Sequence, residues 1–268
     1  MKSVEAIGTD KILAHSEGGI GWIVFNNPAK HNAMSLEMSE GAIRGLAAFA
    51  ADDEVRVVVL TGAGGKAFVS GADISEFEKR RASAEQDKKY AARSGGLYVQ
   101  VRELAKPTIA MIDGYCMGGG LALAAACDLR FCTEGSVFAI PAARLSIAYR
   151  LDFMRWILDL VGPSRTKDIL FSARRLNAAE AFAMGLVNRV VPADQIDAAV
   201  RDYAKILVDN APLSIRATKL IVDELVKDAP ERDLGLCARL SAECFDSEDF
   251  KEGRRAFMEK RKPAWRGK

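Results

Sequence analysis

Two glycine-rich stretches carry residues able to do chemistry with main-chain groups. The first is Lys66-Ala67-Phe68-Val69-Ser70-Gly71-Ala72-Asp73-Ile74. Small residues at a strand end let a second molecule approach the backbone, whose N–H groups can donate to an anionic oxygen. The second is Asp113-Gly114-Tyr115-Cys116-Met117-Gly118-Gly119-Gly120-Leu121-Ala122-Leu123. It places a glycine cluster after one strand and at the start of a helix, where free N–H groups and the helix dipole favour negative charge. Taken singly, each stretch also has a structural explanation. The first can be an ordinary tight turn, and the second can serve close helix–strand packing. The second is not Gly-x-Gly-x-x-Gly and no Gly-Lys-Ser/Thr follows, which argues against a nucleotide phosphate loop. Together, two loops that each direct one N–H at one point would make an oxyanion hole.

The surrounding elements must place these loops side by side. Ile20–Phe25 reads as a strand ending in the loop Asn26-Asn27-Pro28. Ser35 is a plausible N-cap for a helix carrying Leu36, Met38, Ile43, Leu46, Ala47 and Phe49 at helical spacing. Val55–Leu60 is nearly continuous in β-branched residues, the mark of a buried strand. Ala67–Ser70 is a short apolar strand, and the charged run from Ser75 to Arg93 reads as a solvated helix. A helix over Leu97–Leu104, a strand over Thr108–Ile112, a buried helix over Gly118–Cys127 and short strands at Leu129–Cys132 and Val137–Ile140 follow. This alternation predicts an α/β layered core. Beyond Leu151 the pattern is helical except for a strand at Val187–Val191, and it ends in long helices over Ile196–Val208, Leu213–Val226, Glu231–Phe245 and Asp249–Lys260. We therefore expect a core over residues 1–191 and a helical region over 192–268.

Composition narrows the function. A chain of 268 residues with 49% hydrophobic and 28% charged residues folds without staples, as one large domain or one domain with a helical appendage. Lys+Arg is 38 against Asp+Glu 36, a net charge of only +2, which does not mark a nucleic-acid binder. Two histidines are too few for a histidine-built metal site, and none is expected. Five cysteines without a Cys-x-x-Cys read as buried thiols of a reducing compartment. The most apolar stretch, Tyr115–Cys127, is 13 uncharged residues, short of the roughly 20 that a membrane span needs. Residues 1–10 lack the apolar run of a signal peptide, so the expected location is cytoplasmic.

The chain resembles the crotonase superfamily, the enoyl-CoA hydratase/isomerase family. The resemblance runs through Asn27-Pro28 with Asn32-Ala33, Phe68 to Ile74, Asp113 to Gly120, Cys127-Asp128, Gly185-Leu186-Val187 and Glu259-Lys260-Arg261-Lys262-Pro263. It implies a crotonase-like ββα spiral core with two roughly perpendicular sheets, and C-terminal helices that build homotrimers or hexamers. It implies an acyl-CoA substrate, with coenzyme A arriving as part of that substrate and no resident cofactor. The thioester oxygen would be held by the N–H groups of Ala72 and Gly119. Lys30, His31, Ser70, Asp73, Ile74 and Gly118 would line the coenzyme, and Lys260 would reach it from the C-terminal helix, often across a subunit interface. Eight Lys/Arg against two Glu from Phe250 onward suit nearby phosphates.

The chain also departs from the family pattern. The hydratases place one glutamate three residues after the second oxyanion glycine, where this chain has Ala122. They place the other after a proline, where Pro141 leads to Ala142. The paired general acid and base are therefore absent. In the stretch Arg144 to Asp152, relatives that decarboxylate malonyl-type CoA esters carry a tyrosine close to Tyr149. Tyr149 is thus a candidate catalytic or substrate-orienting residue, with pocket packing as the alternative. Arg150 reads as a salt-bridge partner or as a contact for a substrate carboxylate, and Asp152 as a helix N-cap rather than a base. The expected function is an acyl-CoA enzyme of the hydratase/isomerase group. The alternatives are a CoA-ester decarboxylase using Tyr149 and a catalytically idle CoA-binding protein.

Overall fold

The computed structural model describes residues 2–4, 7–73 and 95–268. Ile74 and the charged run that follows it lie outside the described residues. Eleven strands form among the described residues: β1 (Lys2–Ser3), β2 (Ile12–Glu17), β3 (Ile20–Phe25), β4 (Val57–Gly62), β5 (Ala67–Val69), β6 (Thr108–Ile112), β7 (Tyr115–Met117), β8 (Leu129–Thr133), β9 (Val137–Ala139), β10 (Leu176–Asn177) and β11 (Arg189–Val191). They make a seven-stranded sheet in the order β1-β2-β3-β4-β6-β8-β11 and a four-stranded sheet in the order β10-β9-β7-β5.

The chain alternates between the two sheets. In the pairs β4/β5, β6/β7 and β8/β9 the first strand joins the large sheet and the second joins the small one. Neighbours along this path are parallel: β4 with β6, β6 with β8, β5 with β7 and β7 with β9. This is the mixed α/β spiral that the resemblance implies. The large sheet is covered on both faces, which explains the continuous Val-Val-Val-Leu of β4. Val58 and Leu60 join the core that includes Met38, Leu46 and Phe49 of helix α1 (Leu36–Ala51). Val57 and Val59 point the other way, toward Ile196, Val200 and Ala204 of the helix Ile196–Val208. That helix lies just past residue 191, yet its buried face belongs to the sheet.

Local signals placed most elements. Ser35 caps α1, its Oγ accepting from the Met38 N–H at 3.2 Å. Residues 95–103 are helical, and Gly119–Ala126 is a helix buried over nearly its whole length. Leu151–Ser172 breaks at Gly162, whose φ of 76° precedes Pro163. Asp152 is not the N-cap of this helix. Arg150 holds that place, and Asp152 lies in the first turn, accepting from Phe153 N–H and pairing with Arg150 at 2.6 Å. Arg150 is thus a salt-bridge partner. Strands β1, β2, β7 and β10 escaped the sequence pattern: two are only two residues long, and β7 is embedded in the glycine-rich stretch. Cys116, Cys127 and Cys132 are buried, Cys237 and Cys244 half-buried, and all five are free thiols.

The last helices, Pro212–Leu225, Leu234–Asp246 and Glu248–Glu259, leave Leu234, Phe245 and Phe257 largely exposed in the single chain. The C-terminal tail folds back on the last of them. Glu252 accepts from Arg261 at 2.6 Å and from the Ala264 N–H at 3.0 Å, and Asp249 accepts from the N–H groups of Arg266 and Gly267. The bonds from Arg261, Arg255 and Ala264 hold the Glu252 carboxyl well below its ordinary value. A carboxyl depressed on folding contributes stability above its unfolded pKa of about 4.5 and loses it as pH falls below. Hydrogen-exchange protection of residues 261–268 is therefore expected to drop as pH falls below about 4.5, and Glu252→Gln is expected to lower it already at neutral pH.

Candidate active site

The two glycine-rich stretches meet because β5 and β7 pair in parallel, so the loops leaving them emerge side by side. After β5 the chain bends at Gly71, and Ala72 makes an isolated parallel bridge with Met34. Met34 N–H donates to the Gly71 carbonyl at 2.7 Å, and Asp73 N–H donates to the Met34 carbonyl at 2.9 Å. That alternation turns the Ala72 N–H to the opposite side. After β7 the chain passes through Gly118, at φ 50° and ψ −114°, and starts the helix Gly119–Ala126. Only glycine takes such a conformation readily. Gly119 is the first helical residue, so its N–H is one of the free amides of a helix start.

The two amides lie close together. A Cβ placed on Gly119 would sit 4.0 Å from the Ala72 nitrogen and 2.8 Å from the Tyr98 hydroxyl oxygen. Neither the Ala72 nor the Gly119 N–H has an acceptor among the described residues. Two free amide donors at this spacing, one of them at a helix start, suit a single carbonyl or anionic oxygen. The closeness comes from Gly120, where a Cβ would fall 2.0 Å from the Val69 carbonyl oxygen. The packing explanation of the glycines is therefore correct for Gly120, while Gly118 and Gly119 shape the helix start.

Asn32 holds the loops from below. Wholly buried, its Oδ1 accepts from Asn27 N–H at 2.8 Å and its Nδ2 donates to the carbonyls of Ala63 at 3.0 Å and Ala67 at 2.7 Å. Lys30, on the same loop, pairs with Asp73 at 2.9 Å. Ser70 N–H donates to the His31 carbonyl, and the His31 ring meets Tyr115 edge-on at 6.1 Å. So Lys30, His31, Ser70, Ala72, Asp73, Gly118 and Gly119 come together, and Ile74 follows directly in the chain. Lys260 sits elsewhere, in the left-handed C-cap of the last helix. Among the described residues, no hydrogen bond or ion pair joins it to that group.

An aromatic wall stands beside the amides. Phe153 packs against Tyr98 at 4.5 Å, Trp156 at 5.5 Å and Tyr149 at 5.7 Å between ring centroids, with the Arg150 guanidinium 4.6 Å over its ring. Tyr149 is half-buried as a residue, and its hydroxyl donates to the Gly118 carbonyl at 2.8 Å. Burial pushes the Tyr149 phenol well above its ordinary value, so it stays protonated. Burial does the same to the Cys116 thiol on β7. Sequence patterning missed Tyr98 and Phe153, because nothing in their helical spacing separates a pocket wall from a core face. Ala122 is fully buried in the first turns of its helix, and Ala142 lies in the 3-10 turn Pro141–Leu145.

Residues 15–268 match the family model described as Enoyl-CoA hydratase/isomerase. The short-chain-enoyl-CoA hydratase of Clostridium acetobutylicum is 30% identical, over 94% of this chain and 96% of that protein. The carnitinyl-CoA dehydratase of Salmonella enteritidis is 34% identical, over 94% and 96%. A crystal structure of an enoyl-CoA hydratase/carnithine racemase from Magnetospirillum magneticum superposes with a TM-score of 0.93, at 36% identity and 97% of each chain.

The Gly120 contact yields a direct test of the site's construction. Gly120→Ala is expected to destabilise the fold by about 1–3 kcal/mol, the usual range for overpacking. Thermal unfolding measures that loss, and a crystal structure of the variant would show the Gly119 nitrogen moved away from Ala72.

Proposed function

The chain belongs to the enoyl-CoA hydratase/isomerase family, and on that premise we propose that it processes an acyl-CoA by stabilising a thioester enolate between the amides of Ala72 and Gly119. The observation that carries this reading is the pair of free N–H groups brought together at a helix start. Loss of an α-proton, or attack at the β-carbon, puts negative charge on the thioester oxygen. Preorganised donors lower the cost of that charge, typically by about 3–4 kcal/mol for each. The acyl group would lie along the aromatic wall of Tyr98, Tyr149 and Phe153.

In this reading coenzyme A enters with the substrate and no resident cofactor or metal is required. Lys30, His31, Ser70, Asp73, Ile74 and Gly118 would follow the coenzyme. Lys260 would reach it from the C-terminal helix of a neighbouring subunit, which suits its distance in chain and contacts from the others. The exposed Leu234, together with the exposed Phe245 and Phe257 that line a cavity of about 520 Å³ with Phe250 and Trp265, supports a homotrimer or a hexamer built on residues 192–268. Among the described residues no helix is long and apolar enough to cross a membrane; a cytoplasmic location and the lack of nucleic-acid or membrane partners belong to the proposal.

The exact reaction differs from simple hydration in this reading. Ala122 and Ala142 stand where the family's hydratases carry their two glutamates. An acid and a base each contribute roughly 10²–10⁴ in rate. Decarboxylation of a malonyl-type ester through Tyr149 would require its hydroxyl to leave the Gly118 carbonyl. An idle CoA-binding role leaves two paired donors without a purpose.

Two measurements test the reading. Calorimetry should find a saturated acyl-CoA thioester bound more tightly than its reduced thioether analogue by about 1–3 kcal/mol, since the thioether lacks the oxygen that the two amides receive. Equal affinities would refute it. Hydration of crotonyl-CoA should run at least 10²-fold, on the order of one lost acid–base group, below that of relatives carrying both glutamates.

A further inference from the structure

We infer that Tyr149 is a positioning residue for the Gly119 donor: its hydroxyl fixes and polarises the peptide unit whose opposite end is the Gly119 N–H. This rests on the proposed role of that N–H in receiving the thioester oxygen.

The Gly118 carbonyl and the Gly119 N–H belong to one trans peptide, so they point in opposite directions. Tyr149 Oη donates to that carbonyl at 2.8 Å, and Ala122 N–H, from the first helical turn, donates to it at 3.1 Å. The preceding peptide is held separately, by the Gly118 N–H donating to the Ala139 carbonyl at 2.8 Å. Gly118 lies outside helical geometry and has no side chain with which to cap the helix. Among the described residues, rotation of the 118–119 peptide about its flanking bonds is therefore opposed at the carbonyl end by two bonds, and Tyr149 supplies the shorter. Donation to an amide carbonyl also draws charge from its nitrogen, which makes the N–H a stronger donor. The hydroxyl is well held for this task. The Tyr149 ring rests on Phe153, and Phe153 rests on Tyr98, whose own hydroxyl stands at the face of Gly119. The phenol thus acts behind the amide rather than on the substrate.

Tyr149→Phe removes the hydroxyl and keeps the ring. A merely structural tyrosine would change thermal stability and leave ligand discrimination alone. A positioning tyrosine changes the discrimination between thioester and thioether. In the wild type the thioester preference is measured first by calorimetry, and its absence would overturn the proposed function and this inference with it. Given that preference, Tyr149→Phe is expected to reduce it by about two- to tenfold, the worth of one net hydrogen bond. The infrared stretch of a ¹³C-labelled thioester carbonyl should shift down less on binding to the variant than to the wild type. An unaltered preference and an unaltered stretch would overturn the inference. Should Tyr149→Phe fail to fold, 3-fluorotyrosine at position 149 keeps the shape and donates more strongly. It should then raise the thioester preference and lower the carbonyl stretch, and no change in either would likewise overturn the inference.

Discussion

The helix Gly119–Ala126 lies so close to β5 that a single methyl group would not fit between them. A Cβ at Gly120 would stand 2.0 Å from the Val69 carbonyl oxygen, well inside van der Waals contact. The rest of the site follows from this approach. With the helix pressed onto the strand end, its first amide reaches the residue that leaves that strand, Ala72. Every residue from Gly120 to Ala126 is buried, and all but two of them are alanine or glycine. Small side chains let the backbone come near, and their burial pins it there.

Opposite charges at the ends of this helix divide its duties. At the C-terminal end the buried Arg130 guanidinium donates to the carbonyls of Ala124 and Cys127, and also to that of Leu186. A cation there complements the helix dipole and satisfies carbonyls that the helix leaves open. Burial lowers the Arg130 pKa to about 10, which leaves it charged at neutral pH. At the N-terminal end the first amide has no acceptor among the described residues. One end is thus closed by the protein and the other is available to a ligand.

Polar pins connect the site to the remaining elements. Asn32 joins the loop after β3 to the loop after β4 and to β5 through three hydrogen bonds. Asp128 Oδ2 accepts from Thr108 N–H and Oγ1 and from Lys219 Nζ, tying the helix Pro212–Leu225 to the large sheet. A buried polar group left without such partners would cost on the order of 1–3 kcal/mol, so these contacts select one arrangement of the loops. The donors themselves are main-chain groups.

Much was readable from the residues alone. β-Branched runs marked β3, β4 and β6, because a strand covered on both faces must be apolar at every position. Ser35 marked the start of α1. The glycine stretches marked two loops able to offer main-chain N–H groups, since backbone chemistry requires small residues near strand and helix ends, and the family resemblance singled out Ala72 and Gly119 within them. Other features depended on contacts between distant segments. Strand β7 is three residues inside a glycine-rich run, and only its pairing with β5 and β9 makes it a strand. The N-cap at Arg150 in place of Asp152 was decided by the ion pair between them and by the packing of Phe153. Tyr98, Phe153 and the Tyr149–Gly118 bond became visible only when three segments met. A sequence records which residues can donate, cap or pack, because those properties are local. Which amide ends beside which, and which hydroxyl stands behind it, is decided by tertiary packing, because no local rule carries the distance between loops far apart in the chain.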